Sequence, residues 1–214
     1  MSSPEVKNEE FQRLEEKFPF LRHARERFWG LRGLDCVVVD IETTGLESAS
    51  NEIIEIAALK VERGEIAGVF SSLVKIDRPL TPEIVNLTGI TDEILAEGSD
   101  KVEVLQKLLA FVGDLPLIAH NVEFDLPFLN HHLGLTLGTT LANRQICTLK
   151  LSRKIVPGLP SYRLGKLADH FAIPAPIVHR AGGDVEITFN LWLKLVGLLE
   201  QKGITTLESL LSFT

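Results

Sequence analysis

The stretch LDCVVVDIET (residues 34–43) sets a valine-rich apolar run directly before two carboxylates, Asp40 and Glu42. Such a compact β-branched run reads as a buried strand. Strand side chains alternate between faces, so residues two apart project to the same side. Asp40 and Glu42 therefore share a face at the end of this strand. Adjacent carboxylates repel and raise each other's pKa unless a cation neutralises them. Oxygen ligands suit a hard divalent ion, magnesium or manganese. The same D-x-E spacing also fits a solvated strand end or a helix-cap partner, so the pair alone does not define a site. Thr43, Thr44 and Gly45 follow at once and offer a tight turn whose backbone can approach a ligand closely.

Working outward, EIIEIAALKVER (52–63) and EIAGVFSSLVKI (65–76) read as two strands of a hairpin joined at Arg63-Gly64. Residues 82–95 suggest a short helix, a turn at Gly89 and a second helical turn. An amphipathic helix is expected over 100–112, then a strand over LPLIAH (115–120). NVEFDLPFLNHHL (121–133) begins as a helix, with Pro127 expected in its first turn. From about 143 the chain reads as helical: 143–155, 161–171, 184–200 and 205–212. At the other end, Phe11, Leu14, Phe18 and Leu21 predict a helix over 5–29, divided by Pro19. Strands first, then alternating helix and strand, predict an α/β fold with helices covering a central mixed sheet. The expected organisation is an N-terminal helical extension (1–33), one domain (34–200) and a C-terminal helical tail (201–214).

The bulk composition narrows the function classes. The chain has 214 residues, 45% of them hydrophobic, enough for a substantial single core. No apolar run approaches the ~20 residues that span a bilayer, and MSSPEVKNEEF lacks signal-peptide character, so no membrane contact and a cytoplasmic protein are expected. The two cysteines, Cys36 and Cys147, form no CxxC pair and support neither a disulfide framework nor a thiolate metal site. A formal charge of −7 argues against coating nucleic acid through a basic surface. It leaves open an enzyme that meets one phosphate through metal ions.

Two further acidic elements lie downstream. In IAHNVEFDLPFL, Asp125 falls just after the strand at 115–120, near a helix start, where a carboxylate also complements the helix dipole. In HRAGGDVEIT (179–188), Asp184 is expected in the first turn of the last long helix. His179 stands five residues before it, and five helical steps would turn it ~140° away. The two converge only if His179 lies before the helix, and Gly182 and Gly183 are read as that boundary.

Taken in order, Asp40-x-Glu42, then His120-Asn121-x-x-Phe124-Asp125, then His179-x4-Asp184 resemble the three motifs of the DEDDh family of 3′–5′ exonucleases. This is the family of the epsilon proofreading subunit of bacterial DNA polymerase III. Thr43-Thr44-Gly45-Leu46, Leu87-Thr88-Gly89-Ile90-Thr91 and Tyr162-x-Leu164-x-x-Leu167 extend the likeness over about 34–200. The resemblance implies a ribonuclease H-like fold: a five-stranded mixed sheet, second strand antiparallel, flanked by helices. It implies two Mg2+ or Mn2+ ions, with Asp40, Glu42 and Asp184 holding one, and Asp40 and Asp125 serving the second. His179 would then act as general base on the attacking water. Thr43 and the backbone near Thr44 would contact the terminal 3′ hydroxyl. Leu46 and Phe124 either grip the terminal bases or simply pack a pocket wall. His120 and Asn121 would brace the site or meet substrate. Gly182 and Gly183 depart from the family's larger residue and second acid. Arg180 stands where a related subfamily places a catalytic tyrosine.

The function this implies is metal-dependent removal of 5′-mononucleotides from the 3′ end of single-stranded DNA, in proofreading or repair. RNA 3′-end trimming and a catalytically silent binding module are the alternatives. The expected partners are a DNA (or RNA) 3′ end and a polymerase, helicase or other protein that delivers it; the residues do not specify an oligomeric state.

Overall fold

The computed structural model describes residues 30–174 and 180–214. The helix expected over 5–29, and His179, lie outside the described residues. A 3-10 turn at Gly30–Gly33 leads into strand β1 (Cys36–Thr43). Then come β2 (Ile53–Glu62) and β3 (Glu65–Leu73), helices α1 (Pro82–Thr88), α2 (Asp92–Ala96) and α3 (Lys101–Val112), and β4 (Leu117–Ala119). The second half holds α4 (Val122–Leu137), β5 (Gln145–Cys147), α5 (Thr148–Ile155), α6 (Leu164–Phe171), α7 (Ala181–Gln201) and α8 (Leu207–Phe213). The five strands form one sheet in the order β3-β2-β1-β4-β5. β2 runs antiparallel to β1 and β3, while β4 and β5 run parallel to β1.

Alternation along β1 divides the core into two layers. Cys36 and Val38 face one layer, with Ala57, Leu59 and Val61 of β2, and pack under α7. Val37, Val39 and Ile41 face the other, against Val104, Leu105 and Leu108 of α3 and Leu126 and Leu129 of α4. Asp40 and Glu42 continue the Cys36–Val38 series and so turn toward α7. That helix presents Val185, Thr188, Trp192, Leu195 and Leu199 as one buried stripe at helical spacing. Trp192, 2% exposed, anchors it. α8 closes the same layer with Leu207 and Leu210, its start fixed by reciprocal Thr206–Ser209 capping.

The hairpin turns at Arg63 and Gly64, whose φ values of 62° and 76° match the twist of the flanking strands. A Cβ on Gly64 would meet the Arg32 carbonyl at 2.5 Å, so only glycine fits there.

Three local readings need correction. Gln145–Cys147 is a strand, not the start of a helix; its parallel pairing with Leu117, Ile118 and Ala119 supplies hydrogen bonds that three residues of sequence cannot announce. Pro127 stands in the second turn of α4, not the first. It sits on the exposed face, where solvent can satisfy the carbonyl one turn earlier. Gly182 and Gly183 lie inside the first turn of α7. The N–H groups of Gly183 and Asp184 bond to the Arg180 carbonyl at 2.9 and 3.0 Å, so the helix begins before the glycines.

Candidate active site

Three carboxylates converge where β1 ends. Asp40, Glu42 and Asp184 offer oxygens that all lie within 4.8 Å of one another. β1 supplies the first two by its period-two alternation, and α7 brings Asp184 down over them in its first turn. Asp125 comes from the opposite layer, in the first turn of α4, and is 3% exposed. Its carboxylate accepts the backbone N–H groups of Ile41 and of Asp125 itself, which ties α4 to the end of β1.

Burial and mutual repulsion hold this cluster away from ordinary carboxylate behaviour. Asp40 is pushed well above its usual range, first by burial and then by Asp125, Asp184, Glu42 and Glu55. Glu42 rises to about 7 through burial and the neighbouring Asp184 and Glu55 charges, with Arg180 pulling it down. Asp125 rises to about 8, mainly by burial, although the two N–H bonds oppose the shift. A set of hard oxygen donors of this span, strained by unneutralised charge, fits a divalent cation.

The β1–β2 loop forms one wall. The Thr43 hydroxyl donates to the Gly45 carbonyl at 2.7 Å, closing the turn. Asn51 packs so tightly beneath Gly45 that an added Cβ would lie 2.5 Å from its Oδ1. Leu46 projects from this turn, 80% exposed. Thr44 ties this turn to its neighbours. Its hydroxyl donates to Asn51 Oδ1 and accepts from Arg78 Nη2 and the Glu52 N–H, while its own N–H bonds the Glu52 carbonyl. Thr44 therefore holds the loop together. Phe124 is half-buried against Phe128, ring centroids 5.0 Å apart.

His120 is likewise committed. Nδ1 accepts from the Thr148 hydroxyl and Nε2 donates to the Tyr162 carbonyl, both at 3.0 Å. Burial depresses its pKa to about 4, so it is a neutral brace between β4, α5 and the loop before α6, in line with the bracing role expected from the sequence. Asn121 takes φ 78°, a left-handed conformation that turns β4 sharply into α4.

Glu55 escaped sequence reasoning, as did its pairing with Arg180. Glu55, 3% exposed, accepts Arg180 Nε and Nη2 at 3.1 and 2.8 Å and the Ala181 N–H at 3.0 Å. The signal was present: a carboxylate in the middle of the otherwise apolar IIEIAAL.

An open mixed sheet with acids gathered at the end of its central strand defines a hydrolase that meets phosphate through acid-held cations. Comparison with known proteins narrows the class. The exonuclease family (RNase T type) matches residues 37–192, and the chain belongs to that family. It is a phosphodiester hydrolase of the 3′–5′ exonuclease type, and the family requires divalent metal ions. DNA polymerase III subunit epsilon of Aquifex aeolicus is 39% identical over 160 residues, 75% of this chain and 79% of that protein. DNA polymerase III PolC-type of Bacillus subtilis is 41% identical over 169 residues, which is 78% of this chain but 12% of that much longer protein. Among solved structures, exonuclease X in complex with 5′ overhanging duplex DNA superposes with a TM-score of 0.62 at 25% identity, covering 83% of this chain and 98% of that one.

Proposed function

We propose that this protein removes 5′-mononucleotides one at a time from the 3′ end of single-stranded DNA, in proofreading or repair. The observation that carries the reading is the convergence of Asp40, Glu42 and Asp184, with Asp125 tied to the same strand end. These side chains would hold two ions, magnesium or manganese, with Asp40 shared between them. When bound, such ions supply Lewis acidity that readies water for attack and offsets charge on phosphate and leaving oxygen. The remaining work falls to the chain. Leu46 is exposed enough to wedge against the terminal base, and Phe124, half-buried against Phe128, would offer an aromatic face to it. Thr43, held in the turn by Gly45, retains acceptor capacity toward a terminal hydroxyl. His179 directly precedes Arg180 in the chain and is assigned the role of general base.

The names of the Aquifex and Bacillus relatives support DNA as substrate and a replicative polymerase as the protein that delivers it. The charge of −7 fits that arrangement, since unaided binding to DNA should be weak and salt-sensitive. The test is digestion of 5′-labelled single-stranded DNA, duplex DNA and RNA of one sequence, with magnesium or manganese, by wild type and Asp40→Ala. A descending ladder on single-stranded DNA that vanishes in the variant is expected. Cleavage unchanged by the substitution would overturn the assignment, and faster loss of RNA would move the substrate to RNA.

A further inference from the structure

The register of β1 and β2 creates a problem at the site that the fold must solve. Glu42 and Glu55 are direct cross-strand partners, and both face α7. Like charges directly opposed on one sheet face repel. Glu55 is also almost wholly buried, where a carboxylate is tolerated only with good partners. It has three: a two-pronged bond from Arg180 and the first N–H of α7, from Ala181. The Arg180 charge also acts favourably on Glu42. One guanidinium thus pairs with Glu55 and eases the charge on Glu42, while Glu55 caps the helix that carries Asp184.

Only the Glu55 half of this pair is buried, since the Arg180 side chain is 38% exposed. Burying a carboxylate in this way is a poor device for stability alone, because an apolar residue of similar size often serves better. Its placement argues for another role. Four positions separate Arg180 from Asp184, and the Arg180 carbonyl receives the Asp184 N–H at 3.0 Å, so this one turn of helix is the lever between β2 and the acid cluster. His179 is the next residue back along the chain. We propose that Glu55 and Arg180 form a positioning pair for hydrolysis. The pair fixes where α7 begins, and with it Asp184 against Asp40 and Glu42. Neither residue need touch substrate. The inference rests on the exonuclease reading above.

Glu55→Gln keeps shape and one acceptor but loses the charge; Arg180→Lys keeps charge but loses the two-pronged geometry. The double variant completes a cycle. At saturating magnesium and single-stranded DNA, each single variant should lower kcat about 10- to 100-fold with KM within about twofold, and the double should lose no more than the worse single. Glu55→Asp should recover part of the loss. Two readouts need no turnover: manganese affinity of the protein alone should weaken at least about fivefold in Glu55→Gln, and amide exchange at Ala181 should accelerate. Wild-type melting and far-ultraviolet spectra in each variant establish that the fold persists. If Glu55→Gln misfolds, Arg180→Lys carries the same measurements. Unchanged kcat and manganese affinity, a loss confined to KM, or single losses that multiply in the double variant would each overturn the pair's role. Inactive wild type would instead strike at the exonuclease reading, and manganese affinity and exchange at Ala181 would still decide the pair.

Discussion

Stripping divalent cations should make this protein less stable as pH rises, which reverses the usual effect of alkali on buried carboxylates with good partners. Glu42 has a pKa of about 7 in the fold against an ordinary value of 4.5. The folded state therefore holds the proton longer than the unfolded chain, and stability falls as pH climbs from about 4.5 through 7. A shift of that size is worth about 3 kcal/mol once complete. For a domain of this length that is about 6–12 °C in Tm. Asp125, at about 8, carries the loss further, and Asp40 acts in the same direction. His120 works the other way: with a folded pKa of about 4 against 6.5, it adds stability that is lost as pH falls through that interval. The window from pH 6.5 to 8 is free of its influence. Thermal melts across that window in chelator should show a falling Tm. Saturating magnesium should restore it, with a gap between the two curves that widens toward pH 8. Asp40→Asn removes one repelling charge and should raise the chelator Tm at pH 8 while shrinking the magnesium response. A chelator curve that is flat or rising from 6.5 to 8, or an Asp40→Asn protein less stable than wild type there, would refute the reasoning.

Other substitutions separate the walls of the site from its chemistry. Leu46→Ala should leave Tm within about 2 °C, because the side chain is 80% exposed, yet lower kcat/KM about tenfold on single-stranded DNA in steady-state digestion. Gly45→Ala should push Asn51 aside and displace the Leu46 turn, seen as a comparable loss of kcat/KM joined to a small drop in Tm. His120→Ala should cost about 1–3 kcal/mol in urea unfolding, since it strands the Tyr162 carbonyl and leaves the Thr148 hydroxyl only its bond to the Ala119 carbonyl. The same variant should flatten the acid limb of stability between pH 4 and 6.5, as measured in magnesium.

Much of this was written in local pattern. The valine run before Asp40, the Arg63-Gly64 turn and the Asp100 cap of α3 each announce themselves within a few residues. β5 does not, because its three residues become a strand only through the edge that β4 offers. The acids were legible as a set through their order and spacing, which resemble the DEDDh motifs; singly, each also fits a solvated strand end or a helix-dipole partner. His120 was legible as a brace, but the partners that fix it and Thr44 were not, because they are distant in the chain: Tyr162 for one, Arg78 and Glu52 for the other. Glu55 and Arg180 stand 125 residues apart, and only the cross-strand register with Glu42 reveals why they meet.

The order in which the site's parts leave the ribosome matters for a nuclease. Asp40, Glu42 and Asp125 emerge early, but the cluster lacks Asp184, the Arg180 anchor and the long apolar stripe ending at Leu199 until α7 has been made. On the roles proposed above, a nascent chain without α7 would hold an incomplete cation cluster. The helix that completes the core also completes that cluster, so assembly of the proposed site and closure of the fold are one event.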